Sequence, residues 1–107
     1  MSSDSKTLDC VELTRTLITY PSVTPNECGI YEVIMHAFSH LSFECITQER
    51  NGTKNLFLHT KDSQTNDSSP VGKPHICFAG HIDVVPAGEG WSENPFGGEM
   101  KNGRIFG

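Results

Sequence analysis

A chain of 107 residues with 36% hydrophobic residues is long enough for one small core and short for a complete metabolic enzyme. Its formal net charge is −5 and it has no run of Lys or Arg. It therefore lacks the cationic stripe that neutralises nucleic-acid phosphates or an anionic membrane surface, and neither partner is expected. The first residues, Met1-Ser-Ser-Asp-Ser-Lys-Thr7, contain no basic segment leading into an apolar one, and no apolar run reaches bilayer length. A cytoplasmic chain is the expectation. Cys10, Cys28, Cys45 and Cys77 are scattered without a Cys-x-x-Cys pair, which favours free thiols in helix or strand over a disulfide framework or a thiolate zinc site.

Asp9 to about Thr19 reads as a first helix with a partial apolar face of Val11, Leu17 and Ile18, ended by Tyr20-Pro21. Thr24-Pro25-Asn26-Glu27 has the form of a capping box with proline at the first helical position. Behind it Ile30, Val33, Ile34, Ala37, Phe38 and Leu41 follow the i, i+3, i+4 spacing of one helical face, with Gly29 disturbing the first turn. From Phe43 the period becomes two, with Phe43, Cys45 and Thr47 alternating against Glu44, Ile46 and Gln48. Asn51-Gly52 predicts a turn, and Asn55–Thr60 a second strand. Residues 61–74 are polar but for one valine, Val71, and the prolines and glycine, and read as an exposed loop. His75–Ala79 reads as a third strand, its centre buried on both faces. Asn102-Gly103 lies between two short extended runs and predicts a tight hairpin. Two helices followed by strands give an α/β layer.

The chemistry concentrates where that third strand would end, at Gly80-His81-Ile82-Asp83. In α/β sheets sites gather at the carboxyl ends of strands. His81 and Asp83 stand two apart, so in extended chain they share a side, with Ile82 opposite. Asp83 is then able to accept a hydrogen bond from one ring nitrogen of His81 and leave the other for a metal. A His-x-Asp triplet alone carries little weight, because a histidine at a strand end is more often a plain loop-entrance residue. That plain reading is given to His36, His40, His59 and His75. His36 and His40 are spaced i, i+4 but have no third ligand nearby in the sequence. Trp91 and Phe96 read as packing under a loop rather than lining a pocket. Ser22 lacks the flanking glycines of a nucleophile elbow.

Taken together, Phe78-Ala-Gly-His-Ile-Asp-Val-Val-Pro86, Gly88, Trp91, Pro95-Phe96 and Asn102-Gly-Arg-Ile-Phe-Gly107 resemble the metal-site region of the zinc aminoacylase/carboxypeptidase family. That family's pattern is Gly-His-x-Asp-x-Val-Pro, then Trp-x-x-x-Pro-Phe, then Gly-x-(Leu/Ile)-x-Gly. The wording of residues 78–86, and the early Leu13-Thr14-x-x-Leu17-Ile18 with Pro21-Ser-Val-Thr-Pro25, is most similar to members that act on N-succinyl-LL-2,6-diaminopimelate. Residues 61–74 stand outside the likeness, as an insertion would. Ile82 departs from it, since those members usually carry threonine there.

The resemblance implies that His81 is a ligand of one zinc ion and that Asp83 is the catalytic-site carboxylate orienting its imidazole. It implies the N-terminal part of a mixed-sheet, zinc-exopeptidase-like catalytic domain over residues 1–107, incomplete and without the family's dimerisation domain. It further implies two zinc ions per intact site, with cobalt as the alternative ion, and an intact homodimer that takes a small-molecule N-succinyl amino acid. The reaction implied is metal-dependent amide hydrolysis yielding succinate and LL-diaminopimelate, a step towards lysine and cell-wall precursor. The bridging aspartate is expected beyond Gly107, in an Arg-Gly-x-x-Asp-Met-Lys-Gly stretch, along with the general base, so the 107 residues alone are expected to be inactive. Two other readings stay open: another family amidohydrolase, such as an acetylornithine deacetylase or a dipeptidase, and a non-catalytic truncated remnant.

Overall fold

The computed structural model of the chain describes residues 9–61 and 76–107. The expected loop at 61–74, apart from Lys61, lies outside them, as does His75.

Helix α1 spans Cys10–Ile18 and is capped by Asp9, whose carboxylate accepts from the backbone N–H of Val11 at 3.0 Å and Glu12 at 3.3 Å. Two of the amide donors that a helix start leaves open are thereby satisfied. Helix α2 spans Ile30–Ala37, and it begins later than the sequence pattern suggests. The capping box at 24–27 does not form. Gly29, immediately before the helix, sits at φ 82°, a left-handed conformation that glycine adopts without a Cβ penalty, so the helix starts only after it. Glu27 instead accepts from the Gly29 N–H at 3.1 Å and pairs with Lys54. On the expected face Ile30 is buried and Val33, Ile34, Ala37 and Phe38 are half-buried. Leu41 falls beyond the helix end and is exposed.

Strands β1 (Phe43–Arg50) and β2 (Thr53–Thr60) form an antiparallel hairpin in register from Phe43↔Thr60 to Arg50↔Thr53. Asn51 at φ 52° and Gly52 at φ 81° make the two-residue turn whose twist matches the strands. The alternation read for β1 is not matched by its burial, since Phe43 alone is half-buried and Cys45 and Thr47 are exposed. Leu56 and Leu58 of β2 are half-buried and line the same groove as Ile34 of α2, while Ile46 and its partner Phe57 are exposed on the other face. The Tyr31 hydroxyl donates to the Lys54 carbonyl at 2.7 Å and ties α2 to β2. Where the hairpin meets the end of α2, the Phe38 and Phe43 rings pack edge-to-face, 5.2 Å apart.

The third strand is a correction. Residues 76–80 have no strand pairing, and Ile76 and Phe78 are 78% and 93% exposed rather than buried on both faces. Extended backbone becomes a strand only by bonding to a neighbour, and among the described residues both long strands pair only with each other. The cysteines need a correction of the same kind. All four are free, as expected, but all are exposed, and Cys28 and Cys77 stand outside helix and strand.

The last segment carries the expected second hairpin, β3 (Met100–Lys101) with β4 (Arg104–Ile105), turned at Asn102 (φ 52°) and Gly103 (φ 75°). It is anchored to α1 through the Arg15 Nε–H, which donates to the Gly98 carbonyl at 2.7 Å. The described residues thus give an α/β arrangement of two helices and two antiparallel hairpins. Their one parallel pairing is an isolated bridge between Val23 and Val84.

Candidate metal centre

The bridge between Val23 and Val84 is what places the site. It brings the extended strip after α1 alongside the strip that carries His81 and Asp83, through Val84 N–H to Ser22 O at 3.1 Å and Thr24 N–H to Val84 O at 3.2 Å. Side chains add to the seam. Ser22 is buried, and its hydroxyl donates to the Ile82 carbonyl at 2.6 Å. The Thr24 hydroxyl donates to Asp83 Oδ2 at 2.9 Å.

His81 and Asp83 lie on one side, as their spacing predicts. The ring Nδ1 is 3.0 Å from Asp83 Oδ1 and 3.1 Å from the Asp83 carbonyl oxygen. The Asp83 carboxyl is held below its ordinary value, first by the Thr24 hydroxyl and then by a backbone hydrogen bond and by His81. A carboxylate kept ionised can only accept, so the proton of a neutral His81 belongs on Nδ1 and Nε2 carries the free lone pair. The His81 side chain is 82% exposed, which leaves Nε2 open to a ligand.

His81 and Asp83 border a groove of about 430 Å³ whose other walls come from Thr24–Glu27, Tyr31, Ile34 and, from β2, Thr53–Leu56 and Leu58. Lys54 and Glu27 pair across it at 3.1 Å. Burial, with Glu27 and Asp83 nearby, raises the Tyr31 hydroxyl pKa. Ile82 is half-buried and lines this groove.

The remaining candidates are not gathered here. Trp91 closes a turn through its indole N–H to the Ala87 carbonyl at 2.9 Å, and neither it nor Phe96 lines the groove. His59 pairs with Glu44 directly across the hairpin at 3.2 Å. His36 and His40 meet edge-to-face at 6.4 Å. Among the described residues no cluster of three His, Cys, Asp or Glu side chains is placed to hold a metal ion. The donor chemistry of His81, an imidazole oriented by a carboxylate with its second nitrogen open, fits one ligand of a zinc site and no more than one.

Sequence reasoning missed Ser22 and Thr24. Ser22 was weighed only as a nucleophile, whereas its hydroxyl is buried in a backbone contact. Thr24 looked like a helix cap. The two short stretches are Ser22-Val23-Thr24, polar around a valine, and Ile82-Asp83-Val84, apolar around an aspartate. Their pairing across sixty positions is not written in either stretch.

No protein-family model matches the chain. Its sequence is similar to proteins named succinyl-diaminopimelate desuccinylase. The one from Helicobacter pylori (strain ATCC 700392 / 26695) is 42% identical over 110 aligned positions, covering 94% of this chain and 27% of that protein. The one from Wolinella succinogenes is 44% identical over 97 positions, covering 91% of this chain and 24% of that protein. The one from Helicobacter hepaticus is 43% identical over 103 positions, 91% of this chain and 26% of its own length. The chain thus spans about a quarter of the length of the curated relatives it matches, and over that span it is a relative of the succinyl-diaminopimelate desuccinylases.

Proposed function

We propose that these 107 residues form one wall of a dinuclear-zinc amidohydrolase site that removes succinate from N-succinyl-LL-2,6-diaminopimelate. The observation that carries the proposal is the 3.0 Å contact between His81 Nδ1 and Asp83 Oδ1, which leaves Nε2 exposed beside a groove. The similarity to desuccinylases over nearly all of the chain supports the choice of substrate class.

Zinc, or cobalt in its place, would be held in part by His81 Nε2, and when bound it polarises an amide carbonyl and acidifies water. Asp83 holds the imidazole in one tautomer and strengthens its basicity without touching the substrate. The groove lined by Ile34, Leu56 and Leu58 offers apolar surface to a succinyl or diamino-acid chain, with Asn26 and Asn55 as neutral hydrogen-bonding groups. Further carboxylate ligands and the general base would come from outside the 107 residues, within a mixed-sheet catalytic domain. The intact enzyme would be a cytoplasmic homodimer acting in lysine and cell-wall precursor synthesis. The 107 residues alone, offering one metal ligand, would be inactive.

The test is substitution in the intact enzyme with zinc content and turnover read separately. His81→Ala should lose zinc and nearly all turnover of N-succinyl-diaminopimelate. Asp83→Ala should retain more zinc and still lose most of the rate, about 10–100-fold, the usual cost of removing a carboxylate behind a zinc histidine. Full activity in both variants would remove the hydrolase reading. Preferential turnover of N-acetylornithine or a dipeptide by the wild type would leave the site and replace the substrate.

A further inference from the structure

The two carboxylate oxygens of Asp83 have different partners. Oδ1 faces His81 Nδ1 at 3.0 Å, and Oδ2 accepts from Thr24 Oγ1 at 2.9 Å. The side chain of Asp83 is half exposed, so a carboxylate bonded to His81 alone would be free to turn about its Cβ–Cγ bond and trade that contact for water. A second donor on the far oxygen removes that freedom, because any turn that breaks one contact breaks both.

The donor is itself held. Thr24 N–H bonds the Val84 carbonyl at 3.2 Å, and Val84 N–H bonds the Ser22 carbonyl at 3.1 Å. The buried Ser22 hydroxyl takes the Ile82 carbonyl at 2.6 Å, in the stretch between His81 and Asp83. Four contacts therefore tie residues 22–24 to residues 82–84, and a fifth passes from Asp83 to the ring of His81.

We propose that Thr24 is a positioning residue that locks the Asp83 carboxylate so that His81 keeps its proton on Nδ1 and offers Nε2, with Ser22 fixing the backbone between the two. The purpose of the lock rests on the hydrolase reading above. The lock itself is a property of the metal-free chain and is measurable there.

The experiment is nitrogen NMR on the metal-free chain labelled with ¹⁵N-histidine, at about pH 8, where an ordinary imidazole is neutral. His81→Gln identifies the His81 signals. Wild type and Thr24→Ser should show His81 mainly as the Nδ1–H tautomer, and Thr24→Val should shift it towards the Nε2–H form. A merely structural threonine would leave the tautomer unchanged in the valine variant, and that result overturns the proposal. So does a wild-type His81 with its proton mainly on Nε2, a result that needs no variant and stands even if Thr24→Val fails to fold. In the intact enzyme Thr24→Val should lower kcat with KM little changed, by less than the loss in Asp83→Ala, and Thr24→Ser should restore it. If His81→Ala and Asp83→Ala prove silent in turnover while the tautomer responds to Thr24, the lock survives and the hydrolase reading is the part that falls.

Discussion

The β1–β2 hairpin and the seam between residues 22–24 and 82–84 are both pairings of extended chain, yet they are built on opposite terms. The hairpin joins eight consecutive residue pairs around a two-residue turn, so its ends meet at almost no cost in chain entropy. The seam joins two strips sixty residues apart through one bridge, and side-chain hydroxyls supply what the backbone ladder lacks. The hairpin is regular and lends the groove a wall through Lys54, Asn55, Leu56 and Leu58, but neither His81 nor Asp83 stands on it. The seam is short and irregular, and it holds His81 and Asp83, the pair proposed for the metal site. Precision at His81 is thus built from specific polar contacts rather than from a long element.

The sharpest way to break the seam and spare the hairpin is Ser22→Val. The change removes the donor to the Ile82 carbonyl and adds branched volume at a site that is 2% exposed. A loss of about 2–4 kcal/mol is expected in urea denaturation. In hydrogen exchange the Thr24 and Val84 amides should lose protection while the β1–β2 amides keep theirs. Simultaneous loss in both regions would show that the two are one cooperative unit.

The converse is Gly52→Ala, which places a Cβ at φ 81° in the hairpin turn and strikes nothing else within 4 Å. The strain is about 1–2 kcal/mol, so amide exchange across β1 and β2 should speed up roughly tenfold. The His81 tautomer should be unmoved.

The smallest effect concerns the link between the two regions, the Glu27–Lys54 pair. The Lys54 hydrogen bond lowers the Glu27 pKa from its ordinary 4.5, and the Glu27 carboxylate raises that of Lys54 from 10.5. A lowered carboxylate stabilises above its unfolded value, and that contribution disappears as pH falls through the folded one. A raised ammonium stabilises below its unfolded value and loses the contribution as pH rises through its folded one. The pair should therefore hold β2 to the 24–27 strip fully between the two ordinary values and weaken on either side. Glu27→Gln should flatten the acid limb of a stability–pH curve, and an unchanged limb would show the pair to be incidental.

How much of this was legible in the sequence follows the same division. Asn51-Gly52 and Asn102-Gly103 announced their turns, since positive φ at both residues is a local property. Asp9 and Pro21 bounded α1 for equally local reasons. Gly29 was noticed, but its left-handed conformation moved the start of α2 further than its helix propensity alone indicates. The apolar run Ile76–Phe78 looked like a strand because side-chain pattern reports what a segment suits, while strand formation depends on a neighbour that the pattern does not name. At the site, the contact between His81 and Asp83 was readable from a spacing of two. The partners on Asp83 Oδ2 and the Ile82 carbonyl were not, because hydroxyl side chains serve caps, turns and distant carboxylates alike.

The four exposed thiols turn the molecule into its own reporter. Cys28 stands at φ 54° with its Sγ 3.1 Å from the Pro21 carbonyl, next to the strip that leads into Ser22 and Thr24. Cys45 projects from the hairpin, opposite Leu58. A thiol hydrogen-bonded within a shaped turn is alkylated more slowly than one in open solvent, so maleimide labelling reads the two regions at separate addresses. Loosening the strip accelerates modification at Cys28 and leaves Cys45 as the internal clock. The same exposure leaves the thiols open to oxidation by dissolved oxygen into intermolecular disulfides when no reductant is present, so the labelling has to be read in freshly reduced protein.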